Sequence, residues 1–598
     1  MSEPAPPSTD AARALVAALA DLGVREAVLA PGSRSAPLAY ALAEAARPQD
    51  DAGRDPHAPT IDLHVRIDER EAAFLALGLI RAGRLRGVDR PVAVVTTSGT
   101  AVAHLLPAVL EAHHSGLPLL LLTADRPHEM RGTGANQTTG QPGLLGPVRL
   151  AADVPAPAGL PGELADLRNL ASRVVAAALG TRTRHPGPVH LNLAYREPLV
   201  PGDGGWPAPS RSGLTFVEPA APGTGDELAA GLATVVVAGD GAGPEAALLA
   251  ESYGWPLLAE PTSGACHGPN LVPAHRLVLA HSVLTERVRR VVVLGRPTLS
   301  RPVQALLASA GEVIVVASGG APWPDAARRA DRVLTSVLRL GPAAPADGWT
   351  ADWLAAGAAA ADAVRLVLAE VGADGDSSGF PGQVLAAAIA RSLDADAGST
   401  LFVGASNPVR DLDLVGGWRG PRNVVANRGL AGIDGSISTA TGLALGLGLP
   451  VRAYLGDLTT LHGIGGLLVG PLERRADLQI VVAHDGGGSI FATLEHGQDR
   501  WAAIAERVFA TPHGADLAGL CAGYGVRHRR IAPSVDQDGG RDTATAELEA
   551  ALAEPIVGTS VLEVLVDRAG RRALDEQIAA AARAALTAVG HGGQGTGA

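Results

Sequence analysis

The stretch that decides the fold is Val451-Arg452-Ala453-Tyr454-Leu455-Gly456-Asp457-Leu458. A helical pattern follows it, and then Gln479-Ile480-Val481-Val482-Ala483-His484-Asp485-Gly486-Gly487-Gly488-Ser489-Ile490-Phe491. Residues 453–455 and 479–483 read as short strands with no polar alternation. Continuous apolar runs of this kind are strands buried on both faces, as in parallel sheets covered by helices. Asp457 and Asp485 stand at the carboxyl ends of the two strands, with 27 residues between them. That length holds the crossover helix that a parallel pair requires. Open α/β sheets bind their ligands at the carboxyl ends of the strands.

The same alternation of apolar runs and Ala/Leu-rich helical patterns extends outward in both directions. Upstream in the third block, strands are expected at 401–403 and 424–426; downstream, one is expected at 561–566, then a terminal helix over 571–587. A central block carries strands at 234–238, 291–294 and 313–316. The first block carries them at 27–30, 61–65, 92–96, 117–123 and 189–193. Pro/Gly-rich stretches separate the blocks. The predicted architecture is α/β, with three domains, each a mostly parallel sheet flanked by helices. Its boundaries are 1–198 for the first domain, 199–225 for a linker and 226–340 for the central domain. A second linker spans 341–377, the third domain 378–585, and a disordered Gly-rich tail 586–598.

Composition narrows the chemistry. The 598 residues carry 61 Asp and Glu against 49 basic residues, a net charge of −12. There is no lysine, so every basic residue counted is arginine. This excludes a lysine Schiff base, a pyridoxal-phosphate anchor, a Walker A loop and a kinase-type phosphate lysine. Bound anions must be met by arginine, helix N-termini, backbone amides or a metal. The acidic balance argues against nucleic acid and polybasic membrane partners. Cys266 and Cys521 lack CxxC spacing and read as reduced structural thiols. No secretory signal is visible and no apolar stretch reaches ~18 residues, so a cytoplasmic protein without membrane insertion is expected.

Two hard carboxylate oxygens beside the carbonyls of a Gly-rich loop suit Mg²⁺, which usually keeps a diphosphate as co-ligand. Two further Gly-Asp-Gly stretches are decoys. Gly202-Asp203-Gly204 lies in a linker, and no apolar strand leads from Gly239-Asp240-Gly241 into Asn270. In the first block, Ile67-Asp68-Glu69-Arg70-Glu71-Ala72-Ala73-Phe74 follows a strand and opens a helix. An acidic residue there is favoured by the helix dipole alone.

The Gly456-Asp457 motif, followed by an apolar strand ending in Asp485, resembles the diphosphate motif of thiamine-diphosphate enzymes. Further stretches narrow the resemblance: Ala30-Pro31-Gly32-Ser33-Arg34-Ser35, Thr97-Ser98-Gly99-Thr100, Thr123-Ala124-Asp125-Arg126-Pro127, Gly134-Ala135-Asn136-Gln137, Ala426-Asn427-Arg428-Gly429 and Gly432-Ile433-Asp434-Gly435. Together they resemble the 2-succinyl-5-enolpyruvyl-6-hydroxy-3-cyclohexene-1-carboxylate synthases of menaquinone biosynthesis, over about residues 10–580.

The resemblance implies thiamine diphosphate with Mg²⁺ or Mn²⁺. It implies decarboxylation of 2-oxoglutarate and 1,4-addition of the succinyl unit to isochorismate. Glu69 matches the catalytic glutamate at the aminopyrimidine, and Ile433 the apolar wedge that bends the cofactor. Asp457, Asp485 and the Gly487 carbonyl are the implied metal ligands, with Thr459 and Ser489 near the phosphates. Arg34, Arg126, Arg301, Arg410 and Arg428, with Gln137 and Ser406, are the implied substrate-binding groups. Leu458 follows the form this family uses. Asp485 departs from the usual Asn, and Arg301 from a frequent Lys. The family also implies a homo-oligomer, a dimer or dimer of dimers, with sites at the interface. Two alternatives stand beside it. One is another thiamine-dependent 2-oxoacid decarboxylase or carboligase. The other is a nucleotide-binding regulator using Gly239-Asp240-Gly241-Ala242-Gly243.

Overall fold

The computed structural model describes residues 5–202, 204–221, 225–229, 231–338, 348–373, 379–533 and 540–592. Strands β1 (Glu26–Leu29), β2 (Asp62–Val65), β3 (Val92–Thr96), β4 (Leu119–Asp125), β5 (Ala151–Val154) and β6 (Val189–Ala194) form a first sheet, in the order β2-β1-β3-β4-β6-β5. A central sheet has β7 (Thr234–Ala238), β8 (Leu257–Ala259), β9 (Arg290–Leu294), β10 (Glu312–Val316) and β11 (Arg332–Leu334), in the order β11-β10-β9-β7-β8. The third has β12 (Thr400–Val403), β13 (Asn423–Val425), β14 (Val451–Gly456), β15 (Leu478–His484), β16 (Arg527–Ile531) and β17 (Thr559–Leu565), in the order β13-β12-β14-β15-β17-β16. Pairing is parallel in each, for example Val94 opposite Leu121, Val237 opposite Val293 and Phe402 opposite Ala453. The α/β expectation with three helix-flanked parallel sheets therefore holds.

The apolar runs explain the central strands. The side chains of β3, β4, β6, β7 and β9 are buried throughout. Four strands were not expected: β5, β8, β11 and β16. Each lies at a sheet edge. An edge strand is covered on fewer sides, so three of these four carry exposed positions and no continuous buried run.

The residues pack as two compact units. The first comprises Met1–Ala221, Asn427–Leu449 and His462–Leu478. Its core lies on the first sheet, where helix Pro7–Asp21 buries Ala12, Leu15, Val16 and Leu19 at helical spacing. Helix Ser436–Leu447 belongs to this unit although residues 378–585 were expected as one domain. The reason is a close helix crossing on glycine. A Cβ at Gly78 would come within 2.1 Å of the Thr439 carbonyl, and one at Gly442 within 2.1 Å of the Leu75 carbonyl. Only hydrogen at those positions lets the backbones meet.

The second unit comprises Pro222–Ala426, Pro450–Leu461 and Gln479–Ala598. One core joins Val292 of the central sheet, with Trp255 just before β8, to Val403, Tyr454 and Val481 of the third, with Phe380 beside it. A second core holds Trp349, Trp353, Ala356, Ala360, Val364 and Val367. These belong to helix Trp349–Ala373, which corrects the expected linker over 341–377. Their spacing of three and four residues is an apolar helix stripe that the alanine-rich composition disguised. Helix Arg571–Gly592 runs beyond its expected end, and the rest of the expected tail lies outside the described residues. No helix among the described residues is long and apolar enough to cross a membrane.

Inside the second unit, Arg571 and Asp411 form a buried bidentate pair at 3.0 and 2.5 Å. Removing one partner leaves an uncompensated buried charge. Arg571→Ala should therefore lose about 3–5 kcal/mol of stability, measured by denaturant unfolding. A loss under ~1 kcal/mol would contradict this account.

Candidate active site

In the second unit, β14 ends at Gly456 and a helix opens at Asp457. Asp457 is buried. Its Oδ1 accepts from the Leu458 amide at 2.6 Å, and its Oδ2 from the amides of Gly486 and Gly487 at 2.8 and 3.1 Å. One carboxylate thus fastens the end of β14 to the loop after β15. The loop needs glycine at 487, because a Cβ there would lie 2.6 Å from the Ala510 carbonyl.

Two imidazoles join Asp457. His513 Nε2 lies 3.2 Å from Oδ2, and His484 Nε2 lies 4.0 Å from the same atom. His484 Nδ1 is 2.7 Å from Glu563 Oε1, and His528 Nε2 is 2.8 Å from Glu563 Oε2. The hydrogen bond to Glu563 raises the His484 pKa against the effect of burial. Burial, the largest single influence, raises the Glu563 pKa, but the hydrogen bonds from both histidines and the neighbouring positive charges together hold it below the usual value. Asp485 turns into its own loop. Its Oδ1 accepts from the Gly487 amide at 3.1 Å, and its Oδ2 accepts from the Ser489 hydroxyl. Burial, and then the Asp457 charge, push its pKa up to about 6.

Ser489 Oγ also accepts from Asn407 Nδ2 at 2.7 Å. Asn407 opens helix Asn407–Val415, and Ser406 before it has φ +72°. A left-handed non-glycine residue is sparsely populated and concentrates at functional sites. Arg410, one turn on, donates to the Ser406 carbonyl at 2.8 Å. Ser406, Arg410 and Ser489 are thus tied to the Asp485 loop. Thr459 is buried beside Asp457 in sequence. Arg301 is set differently. It is 76% exposed and paired with Glu495 at 3.0 Å.

The first unit holds the other predicted residues. Glu69 is the first residue of helix Glu69–Leu85 and is half-buried. Asp68, not Glu69, caps that helix, accepting from the amides of Arg70 and Glu71. Glu71 is buried, bonded to Ser438 Oγ at 2.6 Å and Arg70 at 3.1 Å. Burial raises its pKa. Ile433 is half-buried in the loop before helix Ser436–Leu447. Arg428 is buried in the same loop, whose Gly429 and Leu430 amides are clamped by Glu111 at 2.8 and 2.9 Å.

Arg34 is buried, donates to the Tyr195 carbonyl at 2.9 Å, and leaves its Nε without a hydrogen-bond partner. Burial, then the neighbouring Arg126, lowers its pKa. Arg126 donates to Ser98 Oγ and the Asn136 carbonyl, at 2.9 and 3.0 Å. Gln137 takes φ +56° and donates to the Ser98 carbonyl at 2.9 Å. A desolvated arginine with an orphan N–H beside a second arginine suits an anionic ligand.

Sequence reasoning missed His484, His513 and Glu563 as members of the loop site. One signal was present: Glu563 sits in the apolar run Val561-Leu562-Glu563-Val564, and a buried carboxylate needs a partner. In the Gly239–Gly243 turn a Cβ at Gly239 would lie 2.0 Å from the Pro297 nitrogen, so that glycine serves close backbone approach.

The donors around Asp457 fit a divalent cation. A buried carboxylate, an imidazole and a second carboxylate of raised pKa converge on a glycine loop. The family model for the thiamine pyrophosphate enzyme N-terminal TPP binding domain matches residues 9–143. The chain is 49% identical to the 2-succinyl-5-enolpyruvyl-6-hydroxy-3-cyclohexene-1-carboxylate synthase of Kineococcus radiotolerans, covering 97% of this chain and 100% of that one. It is 45% identical to the synthase of the same name from Paenarthrobacter aurescens, covering 97% of each. Among solved structures it is similar to benzoylformate decarboxylase from Polynucleobacter necessarius. That likeness has a TM-score of 0.62 at 16% identity, covering 93% of this chain and 98% of that one, and it bears on the fold alone.

Proposed function

The chain belongs to the 2-succinyl-5-enolpyruvyl-6-hydroxy-3-cyclohexene-1-carboxylate synthase family, and from that premise we infer how its own residues serve the reaction. It is a thiamine-diphosphate-dependent transferase of menaquinone biosynthesis. It decarboxylates 2-oxoglutarate and adds the succinyl unit to isochorismate. The observation that carries this is 49% identity across nearly the whole chain, with a family model matching over the segment that bears Glu69.

Thiamine diphosphate, when bound, supplies the electron sink for the decarboxylation. We assign Glu69 to hold the proton at the cofactor's pyrimidine ring and Ile433 to support its bent form. Asp457, with Asp485 and the Gly487 carbonyl, is assigned to the divalent metal, Mg²⁺ or Mn²⁺, and Thr459 and Ser489 to the phosphates. Arg34, Arg126, Arg410 and Arg428, with Gln137 and Ser406, are assigned to the substrate carboxylates. Arginine is the only permanent side-chain cation this lysine-free chain has for that task. Arg301, the fifth arginine the resemblance implies, stands outside this assignment because its guanidinium is exposed and already paired with Glu495.

We further assign domain roles: pyrimidine binding to 1–198, a central domain at 226–340, and diphosphate and metal binding to the parts of 378–585 outside Asn427–Leu449 and His462–Leu478. The enzyme is a cytoplasmic homo-oligomer in this reading, at least a C2 dimer with sites between chains. The family resemblance supports this.

Purified protein given 2-oxoglutarate, isochorismate, thiamine diphosphate and Mg²⁺ should form the adduct, seen by mass, with release of carbon dioxide. Turnover of pyruvate or a branched 2-oxoacid, with no adduct from isochorismate, would establish the other decarboxylase or carboligase reading instead.

A further inference from the structure

We propose that Gln141, anchored by Asn192, is a positioning residue for substrate recognition. It closes a hydrogen-bonded ring at the carboxyl ends of the first sheet, and the ring sets the Arg126 guanidinium in place before a substrate carboxylate arrives. The inference rests on the assignment of Arg126 to those carboxylates.

The ring starts on the sheet itself. Asn192 on β6 lies opposite Thr123 of β4 and Asp153 of β5. Its Nδ2 donates to Asp125 Oδ2 at 2.9 Å and to Asp153 Oδ1 at 2.8 Å. Its Oδ1 accepts from Gln141 Nε2 at 2.7 Å and from the Thr123 hydroxyl at 3.2 Å. Carboxylates only accept, so the neighbours fix which way this amide points, and both its N–H groups and both its lone pairs are used. Asn192, Gln141, Thr123 and Asp125 are all buried.

Two branches leave Asn192 for the loops. One passes through Gln141, whose Oε1 accepts from the Gly99 amide at 2.9 Å, and reaches the Ser98-Gly99 turn. The other passes through Asp125, whose Oδ1 accepts from the Arg126 amide at 2.7 Å. The branches meet where Arg126 Nη1 donates to Ser98 Oγ at 2.9 Å. Arg131 adds a brace. Its Nε donates to the Arg126 carbonyl at 3.1 Å, while Nη1 and Nη2 hold Asp153 at 2.7 and 3.0 Å. Side chains of the network thus hold both the N–H and the C=O of Arg126.

Packed apolar groups would join these strands as well, since replacing both partners of a buried polar contact is often neutral for stability. What a fully satisfied buried network adds is one fixed arrangement. Arg126 needs that, because its charge acts on the buried guanidinium of Arg34. Two like charges would draw apart until an anion joined them. A ring that holds Arg126 ready reduces the ordering that binding must impose.

The test is steady-state kinetics of the holoenzyme in the adduct assay, with thermal unfolding alongside. Gln141→Met keeps the side-chain length and removes both hydrogen-bonding ends. It should raise KM about tenfold or more for the substrate whose KM rises in Arg126→Ala, with kcat changed by less than about threefold, because ground-state and transition-state binding are lost together. In the double variant KM should match that of Arg126→Ala within about twofold, since the two residues act as one unit. Thr123→Val is the structural control. Thr123 is off the ring, bonded to Asn192 and 2.7 Å from His190 Nε2, so this variant should lower the melting temperature and leave both KM values unchanged. If Gln141→Met does not fold, Gln141→Glu keeps the acceptor for the Gly99 amide, loses the donor to Asn192, and is read in the same way. Failure of both to fold would show a purely structural role and overturn the proposal. Unchanged KM values in Gln141→Met, additive effects in the double variant, or an equal rise of KM in Thr123→Val would also overturn it and leave the function standing. An unmutated protein that forms no adduct would overturn the function, and this inference with it.

Discussion

Replacing Glu69 with Gln lowers turnover by about 10²–10⁴-fold and leaves the fold intact. The side chain is half-buried and heads a helix that it does not cap. Asp68 accepts the two first-turn amides, at 2.8 and 3.1 Å, so the helix keeps its start in the variant. The stability cost is limited to the helix-dipole contribution, about 0.3–1 kcal/mol. What the amide cannot do is carry the negative charge that favours a proton on the pyrimidine ring. The nearby Glu71 provides the control. It is fully engaged by Ser438 and Arg70, so Glu71→Gln should perturb stability and spare turnover. Circular dichroism and thermal unfolding check the fold, and the adduct assay checks the rate. Near-wild-type turnover in Glu69→Gln would remove Glu69 from the catalytic role.

The second large effect belongs to Asp457. Asp457→Ala should weaken binding of thiamine diphosphate with its metal by at least about 100-fold, more than the loss expected from a group that only supports a ligand. Three backbone amides lose their acceptor at once, those of Leu458, Gly486 and Gly487. Each buried amide left without a partner costs about 1–3 kcal/mol. Gly487 retains Asp485 Oδ1, so the Gly486 and Leu458 amides bear most of that loss. The cofactor-dependent rise in melting temperature should also disappear, because a ligand stabilises only the state that binds it. Calorimetric titration in excess metal measures the first effect, and thermal scans with and without cofactor measure the second. Wild-type cofactor affinity in the variant, or in protein stripped of metal by EDTA, would contradict the assignment.

The interior strands were legible because each carries one uninterrupted apolar signal. Val92–Thr96 and Thr234–Ala238 match expectation to the residue. The edge strands β5, β11 and β16 were not, since exposed positions interrupt their pattern. Helix Trp349–Ala373 was hidden by alanine, which carries little hydrophobic contrast between its two faces. In the candidate site, Asp457 was readable from its place at a strand end. Glu563, 106 residues further along, was readable only as part of a strand.

Local sequence signals carried the α/β class, the interior strands of the three sheets, the strand-end position of Asp457, the helix-start position of Glu69 and the reliance on arginine for binding anions. These are local properties: burial on two faces writes an apolar run, and a strand end writes a glycine and an acid. The tertiary structure alone decided which groups surround Asp457. It turned Asp485 into its loop, brought His484, His513 and Glu563 together, and paired Arg301 with Glu495 in solvent. Such partnerships are set by how β14, β15 and β17 pack and by which rotamers that packing permits. Neither leaves a periodic trace along the chain.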